Sequence, residues 1–513
     1  MSIKKDNVLA FSIFIISTLA FMIWGMNYIP QYHFILFILA SVFGIFMAFN
    51  IGGNDVANSF GTSVGAKTIT IKQALIIAAI FELSGAIFAG GEVTKTIRSG
   101  IVSLPNELDP MFFVIIMLSA LLSSGLWIFI ATKKGLPVST THSIVGGIVG
   151  ASVTMGFLSV GGGEALSMVK WSEILKIAVS WVISPVLGGV VAYIIFAYID
   201  KKILQPSKIL NKQVKDIKKE RKNFKEEYFS DLKEKPLEEQ VKELSAIVLD
   251  DLDDKEKEES LYKNKLKEFR EKEKAVDVFS LFRIHMPVLA GIGAMAIASM
   301  FLFKGLNNVS TLGLLQNLWI VAILGVIGYI TTYAIVKIVR KTELDKTADR
   351  LFSWFQIFTA SSFAFSHGAN DIANAVGPFA GILDALKNNA INASSPVPFA
   401  IMAMFGIALV VGLWFLGKEV ISTVGSKLAE IRPTTGFSAE LGASLVILVA
   451  TWLGIPVSST HILIGAVLGI GVYNHNANWG TMKPIGLAWI ITLPAAAIMS
   501  AVVFVVFKIA LGI

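Results

Sequence analysis

The chain has 513 residues, 54% of them hydrophobic, with 43 glycines and a mean hydropathy of +0.68. That composition excludes a soluble enzyme, and the absence of cysteine excludes disulfides and thiolate metal centres. The net charge of +7 does not mark a basic, nucleic-acid-binding protein, because residues 201–274 hold 40 of the 81 charged side chains, 21 basic against 19 acidic.

Successive apolar runs of about 20 residues are each long enough to cross a bilayer. They predict spans near 8–27, 35–60, 71–91, 172–198, 284–303, 316–338, 350–383, 397–417 and 484–511. Regions 111–156 and 438–474 each hold two apolar arms around a polar break. The first span follows Lys4 and Lys5 with no small-residue cleavage site after it, so it reads as a retained helix. The charged stretch that follows the span at 172–198 opens with 10 Lys/Arg against 2 Asp/Glu in 25 residues. The positive-inside rule places it in the cytoplasm, and its charge density predicts a solvated helical or partly disordered linker. The expected organisation is an N-terminal membrane repeat (1–200), a charged insert (201–280) and a C-terminal membrane repeat (281–513).

Two motifs occur twice. Gly52-Gly53-Asn54-Asp55-Val56-Ala57-Asn58 recurs as Gly368-Ala369-Asn370-Asp371-Ile372-Ala373-Asn374. Gly135-Leu136-Pro137-Val138-Ser139-Thr140-Thr141-His142 recurs as Gly454-Ile455-Pro456-Val457-Ser458-Ser459-Thr460-His461. The two offsets, 316 and 319 residues, agree within three, which identifies an internal duplication. With the N-terminus inside, Lys67, Lys72, Lys337, Arg340, Lys341 and Lys418 all fall inside. The first Asn-Asp pair then lies on a span running inward and the second on one running outward. Halves so related form an inverted repeat, with binding sites expected at the bilayer midplane.

The residue types point to ions. Gly and Pro end one helix, and Ser139-Thr140-Thr141 and Ser458-Ser459-Thr460 start the next with hydroxyl caps. A helix start carries unpaired N–H groups and about half a positive charge, so two facing starts suit a small tetrahedral oxyanion. Gly52, Gly53 and Gly368 allow the helix to unwind and free carbonyl oxygens. Asp55 and Asp371 supply carboxylates, while Asn54, Asn58, Asn370 and Asn374 supply both donors and acceptors. Oxygen-rich sites of this kind take Na⁺ or H⁺ rather than transition metals. Glu82 and Glu440 are intramembrane carboxylates, not mates under the repeat offsets, and are further cation candidates. Glu92 and Glu419 lie nearer segment ends and read as solvated. His142 and His461 read as structural, and His367 as incidental, since Ile51 stands in its place in the first half. Lys133 and Lys134 precede the first Gly-Pro break and read as reaching water. An intramembrane hydrolase is disfavoured because Ser139 and His142 are duplicated with their whole motif, whereas a triad needs one asymmetric set.

These paired motifs, flanking a hydrophilic insert, resemble the inorganic phosphate transporter (PiT) family over both membrane halves. The resemblance implies an all-α polytopic membrane protein of two inverted-topology repeats, about 12 transmembrane elements, broken helices and two re-entrant helical hairpins. It implies import of inorganic phosphate in symport with Na⁺, or with H⁺, in a plasma (inner) membrane, by a homodimer without cofactor; relatives carry sulfate. The family's functional acids fall on Glu82, Glu440, Asp55 and Asp371. Gly53 departs from the Ala usual before Asn. Phosphate retains a proton near neutral pH and can donate it to an Asp carboxylate, whereas sulfate has none to give. A channel is the remaining alternative.

Overall fold

The computed structural model describes all residues except 1–4, 90–93, 95–96, 99, 103–108, 160, 162–164, 253–260, 278, 306–311, 339–343, 391–396, 427, 429, 453–456 and 513. Among the described residues the chain is almost wholly helical, the β structure amounting to an isolated bridge between Val102 and Val169. Among the described residues, ten helical stretches are long and apolar enough to cross a membrane.

In chain order the helices are α1 (Lys5–Tyr28), α2 (Phe34–Ile51), α3 (Ala57–Gly65), α4 (Ile71–Ala89), α5 (Pro110–Lys133), α6 (Thr140–Ser159) and α7 (Trp171–Ile199). The insert supplies α8 (Gln205–Glu234), α9 (Leu237–Leu252) and α10 (Leu261–Ala275). Then follow α11 (Phe279–Met300), α12 (Leu314–Ile338), α13 (Leu344–Asp371), α14 (Ala373–Asn388), α15 (Phe399–Ser426), α16 (Pro433–Trp452), α17 (Ser459–Tyr473) and α18 (Trp479–Leu511). The regions 111–156 and 438–474 thus each resolve into two helices, α5/α6 and α16/α17, around the expected polar break.

The two Asn-Asp motifs do not break their helices alike. Gly52–Val56 widens into a π turn between α2 and α3, a form that concentrates at functional sites because it re-aims side chains and frees carbonyls. Near Gly368, by contrast, α13 runs unbroken to Asp371 and the interruption falls at Ile372. Gly368 serves close approach instead of unwinding. A Cβ there would sit 2.2 Å from the Glu82 carbonyl oxygen, and one at Gly85 would sit 2.0 Å from that of Phe365. Backbone-to-backbone contact between α4 and α13 is what allows Glu82 and the motif of the second half to share a site. Gly85→Ala is therefore expected to destabilise the protein by about 3 kcal/mol, read as a lowered melting midpoint in detergent. An unchanged midpoint would mean that α4 and α13 can separate freely.

The chain divides into two compact units, Met1–Ala197 with Ile292–Val326 and Asp349–Ile513, and Tyr198–Gly291 with Ile327–Ala348. In the first, α2, α3 and α4 pack on α15, while α5, α6 and α18 pack on one another. Its core includes the rings of Phe21, Phe37, Phe379 and Phe405, with centroids 4.9–6.3 Å apart. In the second unit the described insert is mostly helical, with a break at Lys235 and Pro236. Phe224 stacks on Tyr262 and meets Phe269, joining α8 to α10. Tyr228 and Lys235 both bond Glu243, joining α8 to α9.

Candidate functional site

The helix starts of α6 and α17 are built as their residues dictate. Lys134 caps α5 and Gly135 follows at φ +65°, closing the helix through Leu136 N–H to Ala131 O at 3.0 Å. Ser139 Oγ accepts from His142 N–H at 3.2 Å, and Ser458 Oγ from His461 N–H at 3.3 Å. Each serine satisfies one orphan donor of its new helix. Lys133 and Lys134 are exposed, as expected of solvated lysines. Glu419 is exposed too, whereas Glu92 lies outside the described residues.

Both starts converge on one carboxylate. Thr140 donates to Asp55 Oδ2 at 2.6 Å, and Thr460, from the other half of the chain, donates to Asp55 Oδ1 at 2.8 Å. Asn374 Nδ2 donates to the hydroxyls of Thr140 and Thr141 at 3.0 and 3.2 Å, crossing between the halves in the opposite sense. Its mate, the Asn58 side chain, lies outside the described residues. Asp371 is held differently. Its Oδ2 accepts from Ser459 at 2.5 Å and lies 2.6 Å from His367 Nε2, and its Oδ1 accepts from Asn370 at 2.8 Å. All of these described side chains are buried.

Asn54 and Asn370 are tied to the segments preceding the new helices. Asn54 donates to Thr132 and to Leu136 O, and its Oδ1 accepts from Val138 N–H at 3.0 Å. Asn370 reaches Val457 O at 3.3 Å. Each asparagine therefore stitches its own motif to the Gly-Pro break of its own half.

His367, which symmetry alone marked as incidental, is central. Its Nδ1 lies 2.9 Å from Glu82 Oε2, and its Nε2 faces Asp371, so one imidazole joins α4 to the carboxylate of the second motif. Ligand atoms of Asp55, His367 and Asp371 all lie within 4.8 Å of one another. Ser59 donates to Glu82 Oε1 at 3.4 Å. Glu440 forms a separate cluster. It accepts from Thr62 at 2.5 Å, Ser63 at 2.8 Å, Thr359 at 2.8 Å and Gln356 Nε2 at 3.3 Å. A narrow recess lined by Glu430, Thr435, Gly436, Ala439 and Ile470 reaches Thr62.

Ser59, Thr62, Ser63, Gln356 and Thr359 were not singled out from the sequence. The signal was present. Asp55, Ser59 and Thr62/Ser63 recur every three to four residues, as do Gln356 and Thr359, a polar stripe on otherwise apolar helices.

The family model for the phosphate transporter family matches residues 51–500. The chain is 50% identical over 478 residues to a candidate phosphate permease of Mycobacterium bovis, covering 91% of this chain and 86% of the relative. It is 32% identical over 477 residues to a candidate phosphate permease of Pyrococcus furiosus, covering 91% and 95%. Among solved structures it resembles a sodium-dependent phosphate transporter with a TM-score of 0.72 and 29% identity, covering 92% of this chain and 99% of that one. With its paired motifs gathered around Asp55 and Asp371 inside a bundle of membrane-length helices, the chain is an integral membrane transporter, not an enzyme, and belongs to the phosphate transporter family.

Proposed function

We propose that this protein is a secondary symporter that imports inorganic phosphate with Na⁺ by alternating access. The observation that carries the reading is the convergence of Thr140 and Thr460 on Asp55. Two helix starts that reach one carboxylate from different halves of the chain bring their hydroxyls and first-turn N–H groups together, donors suited to a small oxyanion. Ser139, Thr140, Thr141, Ser458, Ser459, Thr460, Asn58 and Asn374 would then bind phosphate. A phosphate that still carries a proton donates it to Asp55 or Asp371, where sulfate would be repelled. Cations held by Asn54, Asp55, Asn370, Asp371, Glu82 and Glu440 would offset the anion, so neither ion enters comfortably without the other. The Glu440 cluster offers only hard oxygen ligands and one amide, as Na⁺ prefers.

The wider arrangement follows the same reading: two inverted repeats, 1–200 and 281–513, each with a re-entrant hairpin at α5–α6 or α16–α17. The insert 201–280 would face the cytoplasm of a plasma-membrane homodimer. A sodium-dependent transporter among the solved relatives supports Na⁺ as the coupling ion. A second reading, proton coupling, draws on His367, a titratable ring between the carboxylates of Glu82 and Asp371.

Uptake of ³²P-phosphate into liposomes under an imposed Na⁺ or pH gradient separates these. Accumulation driven by Na⁺ alone is the expected result. Accumulation driven only by protons would move the carboxylates into proton-carrying roles. Equilibration without accumulation under either gradient would make the protein a channel.

A further inference from the structure

His142 and His461 are the motif residues that the ion-binding reading leaves without a task. They meet. Their ring centroids are 4.5 Å apart at 86°, and both side chains are buried. On its other side His142 lies against Trp181 of α7 at 3.7 Å, and His461 stacks on Trp489 of α18 at 3.8 Å. Among the described residues, His142 Nε2 and both ring nitrogens of His461 have no hydrogen-bond partner. The main chain of Trp489 reaches His142 and that of Trp181 reaches His461.

The four rings join two pairs of closely packed helices. A Cβ at Gly150 of α6 would sit 2.1 Å from Ala497 O of α18, and one at Gly465 of α17 would sit 2.1 Å from Pro185 O of α7. Trp489 Nε1 also donates to Pro137 O, fixing α18 to the turn before α6. So α6 packs closely on α18, and α17 on α7. Each histidine reaches out of its own pair and packs against the tryptophan of the other. One residue before His461 is Thr460, and two before His142 is Thr140, the two hydroxyls that share Asp55.

Resting on the transport reading above, we propose that His142 and His461 are positioning residues of the anion site. Their contact sets the separation at which Thr140 and Thr460 both reach one anion, and it parts once per cycle to release that anion. Imidazole suits such a contact better than an apolar ring. Stacking between the tryptophans favours closure, while the unpaired nitrogens favour the open, hydrated arrangement, so neither state is a trap. A phenyl ring keeps the stacking and removes the counterweight.

The test uses the full-length protein in liposomes. His142→Phe and His461→Phe should each lower the phosphate KM at least threefold and the kcat at least tenfold, because closure is favoured and release slowed. His142→Ala and His461→Ala should instead raise KM about tenfold. Because the chain contains no cysteine, the double variant His142→Cys/His461→Cys carries a single thiol pair. Oxidation should stop uptake while leaving ³²P-phosphate bound to the detergent-solubilised protein, and a reductant should restore uptake. Phenylalanine variants with wild-type constants, or with KM raised as in the alanine variants, would overturn the proposal. So would undiminished uptake by the protein with its disulfide fully formed. If the unsubstituted protein takes up no phosphate, the transport reading itself has failed, and that outcome is distinct from either.

Discussion

Asp55→Asn is expected to lower kcat/KM for phosphate by at least 100-fold, about 2.7 kcal/mol of lost transition-state stabilisation. The carboxylate accepts a hydroxyl from each of two helix starts, and hydrogen bonds to a buried charge are worth about 1.5–3 kcal/mol each. An amide in its place offers one acceptor and one donor, so one threonine must turn round. Thr140 is poorly placed to do so, since its hydroxyl already accepts from Asn374. Loss of the negative charge also removes the partner that a coupling cation would share. The substitution therefore acts on both halves of the proposed site at once, which Asp371→Asn, held by Ser459, Asn370 and His367, does not. The measurement is initial ³²P-phosphate uptake at matched protein in liposomes, with melting in detergent to confirm the fold. Uptake above a third of the unsubstituted rate, in a correctly folded variant, would falsify the central role of Asp55.

Much of this was legible in the sequence because it rests on local chemistry repeated twice. Two helix starts capped by Ser139 and Ser458, and two Asn-Asp pairs in apolar surroundings, can be read from residue type and spacing alone. The membrane-length helices follow from hydropathy. What the sequence concealed depends on which helices lie side by side. Gly368 was read as a point of unwinding, yet the same missing Cβ that would permit unwinding also permits α4 to touch α13, and only packing decides between them. His367 looked incidental because comparison by repeat offset finds only what the halves share, and a residue that breaks the symmetry is invisible to it. Glu82 and Glu440 were recognisable as costly buried carboxylates, but not that they belong to different clusters. Glu82 joins His367 and, through it, Asp371, whereas Glu440 is surrounded by hydroxyls from α3 and α13.

That separation gives the second large effect. Glu440→Gln should raise the Na⁺ concentration needed for half-maximal uptake by roughly 10- to 100-fold, the range set by about 1.5–3 kcal/mol for a hydrogen bond to a charged group. At saturating Na⁺ the phosphate KM should change less than threefold, because no hydrogen bond of Glu440 reaches the hydroxyls around Asp55. The volume and shape of the side chain are preserved, and Thr62, Ser63 and Thr359 can still bond its amide. A fall in stability should therefore be small and the change confined to the cation. Thr359→Val tests the same cluster from α13 by removing one oxygen while keeping the shape, and should move Na⁺ dependence in the same direction by a smaller factor. If Glu440→Gln instead raised the phosphate KM while leaving Na⁺ dependence intact, the cluster would serve the anion and the coupling ion would have to be held at Asp55, His367 and Asp371. The recess lined by Gly436 and Ala439 gives the experiment a further arm, since a cation bound at Glu440 and leaving past Thr62 would be slowed by Ala439→Leu. Slower uptake with unaltered half-saturation by Na⁺ is the signature of a narrowed path, whereas a changed half-saturation is that of a damaged site.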